Sequence, residues 1–212
     1  MTEIAATIAT DLLSIQAVTL RPNDPFTWAS GIHSPIYTDN RLTISYPTVR
    51  QHIAQGIADI IKRDYPATEV IAGVATAGIP HAAWVAQILN LPLIYVRSKP
   101  KDHGAGRQIE GVLKAGEKVV MLDDLISTGG SVLQAAKAVQ AEGGDIQAVG
   151  SIFSYQLAAA TTNFAAAKLP LFSLSNYSTL IEVARQQDDI NDDELASLHA
   201  WRQDPENWGQ QH

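Results

Sequence analysis

Cysteine is absent from the 212-residue chain, which rules out disulfides, thiolate metal sites and a cysteine nucleophile together. A chain without disulfides suits a reducing compartment. Charge is sparse as well: Asp, Glu, Lys and Arg make up 17% of residues, 15 basic against 22 acidic, for a formal net charge of −7. Binding a nucleic-acid backbone normally leaves a broad basic footprint, and the sequence has none. No apolar run approaches the roughly 20 residues of a membrane span. The opening Met1-Thr2-Glu3 carries an acid where a secretory signal has a basic region, and Asp11 interrupts the apolar stretch behind it. The expectation is a soluble cytoplasmic protein that binds neither nucleic acid nor membrane. Apolar residues, at 46%, suffice for a sizeable core.

The little charge there is sits unevenly. Asp188, Asp189, Asp192, Asp193 and Glu194 form an acidic run near the C-terminus, read as a solvated connection between helices. Between 97 and 107 the bias reverses: Arg97, Lys99, Lys101 and Arg107 face only Asp102. A locally basic segment on an acidic chain points to a small anionic ligand.

Residues 3–17 place Ile4, Ile8, Leu12 and Ile15 at helical spacing. Residues 18–43 are broken by Pro22, Pro25, Gly31 and Pro35 into short extended pieces, as in a small lobe or flap. Ser45 is expected to cap a helix reaching about Lys62, with Pro47 in its first turn. A regular alternation follows. Strands are expected at 69–75, 91–96, 118–122, 145–153 and 169–173. Helices are expected at 78–89, 130–141, from 156, at 178–187 and at 192–203, with a polar loop at 98–112. Continuous apolar strands alternating with helices predict an α/β fold, an open and mainly parallel sheet with helices on both faces. One domain, 1–212, with 18–43 forming part of an N-terminal flap, accounts for the whole chain.

The chemistry concentrates in Val119-Val120-Met121-Leu122-Asp123-Asp124-Leu125-Ile126-Ser127-Thr128-Gly129-Gly130-Ser131. An apolar strand delivers two acids to the sheet edge where parallel α/β proteins bind ligands. Gly129 and Gly130 let backbone N–H groups approach an anion, Ser127, Thr128 and Ser131 add hydroxyls, and the following helix adds the positive end of its dipole. The lysine of an ATP-type phosphate loop is missing. Acids beside a phosphate cradle would repel the phosphate unless they have work of their own, and ionised carboxylates accept hydrogen bonds from vicinal hydroxyls such as those of ribose. Either acid alone is explained as a strand-end residue. The whole arrangement fits a sugar phosphate.

This segment resembles the phosphoribosyl-diphosphate signature of type I phosphoribosyltransferases. Three further blocks are similar to the orotate branch of that family: a flap at Phe26–Tyr37, a diphosphate-side loop at Gly73–Pro80, and a mobile catalytic loop at Arg97–Gly104. The resemblance implies transfer of ribose 5-phosphate from phosphoribosyl diphosphate to orotate, giving orotidine 5′-monophosphate and diphosphate in pyrimidine synthesis. It implies that Arg97, Lys101, His103 and the run Asp123, Asp124, Leu125, Ile126, Ser127, Thr128, Gly129, Gly130 and Ser131 bind phosphoribosyl diphosphate. Ser127, Ile36 and Tyr37 would bind orotate, and Lys101, His103 and Asp124 would be catalytic. It further implies magnesium held mainly through substrate oxygens, without protein ligands, and a homodimer whose loops complete each other's sites. Ala29 and Ala77 stand where many relatives carry lysine, and Ser154-Tyr155-Gln156-Leu157 lacks an arginine that some relatives use on the orotate carboxylate. Flap N–H groups of residues 30–34, or Ser127, are expected in its stead. The rival readings are a transferase for another base, which would lack this flap, and a nucleic-acid-binding sensor of phosphoribosyl diphosphate, which would show a basic face.

Overall fold

A computed structural model describes residues 2–28, 31–99 and 108–208. The chain begins with α1 (Glu3–Ser14) and four short strands, β1 (Val18–Leu20), β2 (Phe26–Thr27), β3 (His33–Ser34) and β4 (Ile36–Thr38). A 3-10 segment (Asn40–Ser45) leads into α2 (Pro47–Asp64). Then come β5 (Val70–Val74), α3 (Gly78–Leu89), β6 (Leu93–Val96), β7 (Ile109–Glu110), β8 (Lys118–Ile126) and α4 (Gly130–Ala141). The chain closes with β9 (Asp145–Ser154), α5 (Ala158–Ala167), β10 (Leu171–Asn176), α6 (Tyr177–Gln186) and α7 (Asp192–Gln203).

Six strands form one sheet in the order β10-β9-β8-β5-β6-β7. All its pairings are parallel except β6 with β7. Alternation along β8 shows how both faces are covered. Val120 and Leu122 belong to the core beneath α1, α2, α3, α6 and α7, whereas Val119 and Met121 belong to the core beneath α4 and α5. All four are fully buried, as a strand sandwiched between helix layers requires. No helix among the described residues is long and apolar enough to cross a membrane.

The expected α/β sheet and the helices at 78–89, 130–141 and 192–203 are all present. The acidic run is partly the first turn of α7: Asn191 and Glu194 form a capping box, and Asp192, Asp193 and Glu194 lie at the positive end of the helix dipole. Ser45 does not cap α2. It ends the 3-10 segment, and Tyr46 occupies the cap with no side-chain hydrogen bond. The polar loop at 98–112 contains β7, which pairs with β6. Strand β8 runs to Ile126 rather than 122, because Asp123, Leu125 and Ile126 stay in register with Ser151, Phe153 and Ser154 of β9.

The N-terminal lobe is made of two small antiparallel pairs, β1 with β4 and β2 with β3. Its anchor is Trp28, whose indole N–H donates to the Ile36 carbonyl at 3.3 Å. Trp28 meets Tyr155 at 5.3 Å and Trp201 of α7 edge-on at 5.7 Å between ring centroids. Trp201 is fully buried and donates its own N–H to the His33 carbonyl at 3.1 Å. It is a packing residue that joins α7 to the N-terminal lobe.

Candidate active site

Strands β5 and β8 lie side by side, and the chain leaves them in opposite directions, through α3 to β6 and through α4 to β9. A crevice opens beyond their C-terminal ends, the usual ligand site of such sheets. Its close packing depends on glycine. A Cβ on Gly78 would stand 2.4 Å from the Leu122 carbonyl oxygen, so only glycine lets the first turn of α3 press against the end of β8. The peptide joining Ala75 to Thr76, in the loop before α3, is cis.

Asp123 is 7% exposed and lies beside Asp124. Its Oδ1 accepts the Asp124 backbone N–H at 3.0 Å and its Oδ2 accepts the Ser131 hydroxyl at 3.4 Å. Burial, then the neighbouring charge of Asp124, pushes Asp123 up to about 7. Burial likewise raises Asp124, with the Arg41 charge working against the rise. The site therefore holds a carboxyl couple that ionises reluctantly, and hydroxyl donors or positive charge would favour its ionised form.

Beyond the acids, Ser127 and Thr128 lead to Gly129, whose φ of +80° starts α4 without a side-chain cap. The glycine is required twice over, since a Cβ there would also lie 2.5 Å from the Phe164 ring. Thr128, Gly130 and Ser131 are exposed at the surface of this turn. Asn163 of α5 donates to the Thr128 carbonyl at 3.0 Å, which turns that acceptor away from an incoming anion. What remains is a rim of hydroxyls and helix-start N–H groups suited to phosphate.

Next to this turn is a cleft of about 430 Å³ lined by Phe26, Thr27, Trp28, Tyr37, Thr38, Leu125, Ser127 and Tyr155. Its apolar walls and few hydroxyls match a flat heterocycle. Burial raises Tyr155 to about 12, so its phenol is neutral at physiological pH. Ser127 and Tyr37, both expected at the base site, meet in this cleft. Ile36 does not join them: its side chain is fully buried in the core, and its carbonyl accepts the Trp28 indole. Ile126 faces the other core layer, whereas Leu125 lines the cleft.

A larger cavity, about 770 Å³, lies between the N-terminal lobe and the start of α7, where Asp193 and Glu194 line it. Those acids would repel anionic substrates, so the smaller cleft beside the phosphate turn is the better site. Among the described residues no group of three or more His, Asp or Glu is placed to hold a metal ion.

Arg97 follows β6 at the same sheet edge and reaches Glu110 of β7 at 3.8 Å. The stem of its loop is closed by the Arg97 N–H to the Gln108 carbonyl, and by the Gln108 side chain to the Arg97 carbonyl at 3.1 Å. Lys101 and His103 lie outside the described residues.

One contributor escaped the sequence reading. Asn40, 1% exposed, donates its amide to the Asp124 carbonyl at 2.7 Å and so ties the N-terminal lobe to the acid-bearing strand. The Asn40 backbone carbonyl accepts the Thr43 hydroxyl at 2.6 Å, and Thr43 Oγ1 lies 3.3 Å from Nε2 of buried His81. Burial lowers His81 to about 4, so it stays neutral. Asn40 and Asp124 are 84 residues apart, and no local pattern announces such a contact.

The profile of a phosphoribosyl transferase domain matches residues 45–168. A Lactiplantibacillus plantarum protein named orotate phosphoribosyltransferase is 87% identical over 209 residues, spanning 99% of this chain and 99% of that protein. A Bacillus subtilis protein of the same name is 58% identical over 199 residues, 94% of this chain and 92% of its own. Among solved structures, Leishmania donovani UMP synthase superposes with a TM-score of 0.79 at 26% identity, over 94% of this chain. The match spans 42% of the Leishmania chain. An orotate phosphoribosyltransferase from Aeropyrum pernix, 24% identical, shares the fold with a TM-score of 0.72, over 87% of this chain and 99% of that one.

Proposed function

The chain belongs to the phosphoribosyltransferase family and, within it, to the orotate phosphoribosyltransferases; from that premise we propose which residues carry out the transfer. The turn from Ser127 to Ser131 takes the 5′-phosphate of phosphoribosyl diphosphate, and Asp123 and Asp124 take the ribose hydroxyls. Orotate lies in the aromatic cleft against Tyr37, Leu125 and Ser127. The observation that carries this assignment is continuity: the acid couple, the uncapped small-residue turn and two residues of the apolar cleft, Leu125 and Ser127, share the stretch from Asp123 to Ser131.

The anomeric C–O bond breaks with its electron pair leaving on diphosphate, and a ring nitrogen of orotate forms the new C–N bond as its N–H proton is lost, diphosphate being the basic group released beside it. Positive charge developing on the ribose is stabilised by the carboxylates beneath it. Arg97, with its planar fork, holds phosphate oxygens, and Lys101 and His103 stabilise or protonate the departing diphosphate. Two adjacent carboxyls at the ribose site, Asp123 and Asp124, are hard oxygen donors that suit a magnesium ion carried by the substrate. Asp123 and Asp124 would lie beside such an ion, which would supply charge neutralisation at the leaving group. The loop serves the neighbouring protomer of a homodimer. The chain works as a single domain with 18–43 as part of its flap, and a cysteine-free composition fits cytoplasmic residence.

The test follows orotate absorbance with phosphoribosyl diphosphate and magnesium, in the presence of adenine, hypoxanthine or uracil. Orotate is expected to be consumed with little interference from the other bases. Equal turnover of a purine would overturn the assignment of the cleft.

A further inference from the structure

We propose that Arg41 selects the carboxylated pyrimidine by receiving the carboxylate of orotate at the mouth of the aromatic cleft. This rests on the reading that the cleft holds orotate. Orotate enters as an anion, yet none of the cleft's lining residues is basic, and two acids stand at the end of the adjoining strand. Left without a cation, the carboxylate would lose water and face like charge.

Arg41 is built to supply that cation. It follows Tyr37 and Thr38 of the cleft wall by a few residues, in the 3-10 segment whose first residue, Asn40, is fastened to the Asp124 carbonyl. Its backbone is thereby fixed against the strand that carries the acids. Asp39 grips the guanidinium from one side, accepting Nε–H at 2.6 Å and Nη2–H at 2.8 Å. Of five donors, that clamp uses two. The Arg41 side chain remains 66% exposed. Its charge acts on both the Tyr37 phenol and the Asp124 carboxyl, so it sits within electrostatic reach of the cleft wall and of the acid couple. Arg97, by contrast, is carried by β6, beyond β5 from β8, and faces Glu110. The two arginines thus divide the substrates, Arg97 for phosphate and Arg41 for the base.

Steady-state kinetics on the full-length enzyme test this. Arg41→Gln should raise KM for orotate roughly ten- to a hundredfold, the range for losing charge-assisted hydrogen bonds. KM for phosphoribosyl diphosphate and the inhibition constant of uracil, the same ring without the carboxylate, should change less than about twofold. Arg41→Lys should recover part of the loss, restoring charge without the fork. An unchanged orotate KM in Arg41→Gln, or equal losses for both substrates or for uracil, overturns the proposal. Tyr37→Ala separates the two layers of the argument. It should weaken orotate and uracil alike. If it leaves orotate unaffected, the cleft reading fails; if it weakens orotate while Arg41→Gln does not, only the role of Arg41 fails.

Discussion

Replacing Asp123 by Asn should make the protein more stable in the absence of substrate while weakening its binding of phosphoribosyl diphosphate. In the folded chain the carboxyl is raised from 3.8 to about 7, a difference of 7 − 3.8, near 3 pH units. At about 1.4 kcal/mol per unit, this is a destabilisation on the order of 4 kcal/mol when the group is forced to ionise. The sign follows from proton binding. Below about 3.8 both folded and unfolded states hold the proton, and the group contributes nothing. As pH rises from there, the unfolded chain releases its proton and the folded chain keeps it. The penalty grows up to about pH 7 and is constant above it. Asparagine has no proton to lose; its amide oxygen can keep the bond from the Asp124 N–H while its NH2 donates to the Ser131 hydroxyl oxygen, which turns its own proton away. Chemical denaturation of both proteins without substrate, at pH 5, 6, 7 and 8, should show an advantage for Asp123→Asn that widens with pH and then levels. Calorimetry with magnesium and phosphoribosyl diphosphate should show binding weakened by at least tenfold, as expected when a charge-assisted bond to ribose is lost. A pH-independent stability difference, or a variant less stable than the parent at pH 8, would refute the claim that the acid couple is strained by burial.

Gly78→Ala should destabilise the protein by about 1–3 kcal/mol or more, measured by denaturation, because the new methyl meets the Leu122 carbonyl and α3 must back away from β8. Unaltered stability would mean that this helix end is less tightly seated than its geometry indicates. Lys101→Ala should reduce kcat far more than affinity for phosphoribosyl diphosphate, since its contact strengthens as charge departs; a loss confined to binding contradicts that role. Mixed dimers of Lys101→Ala and an inactive Gly129 variant should regain part of the parental rate if loops serve the adjacent protomer, and no recovery in verified mixed dimers counts against sharing.

Much of this architecture is readable from local pattern, and the exceptions share a cause. Helices α3, α4 and α7 begin and end where composition changes, because glycine or asparagine marks their starts. The end of β8 is not readable in that way. Asp123 and Asp124 look like the end of an apolar run, but pairing with β9 holds their backbone extended for four residues more. The short β7 hides in a polar loop because its only warrant is a partner, β6, reached across the 97–108 stretch. At the site, the acid couple and the phosphate turn are contiguous and so legible. The cleft is assembled from four separated segments, with Phe26, Tyr37, Ser127 and Tyr155 meeting only after the sheet is complete. Arg41 and Asn40 stand in an unremarkable stretch whose meaning comes from contact with Asp124.

The plug formed by Trp201 couples the latest-made helix to the earliest-made lobe. On a ribosome the flap strands emerge long before α7 exists, and N-terminal segments generally begin folding while synthesis continues. Until the indole of Trp201 arrives, Trp28 and Tyr155 lack their rear support and the His33 carbonyl lacks its donor. The wall of the base pocket is thus seated only when a segment 168 residues downstream of His33 has been made.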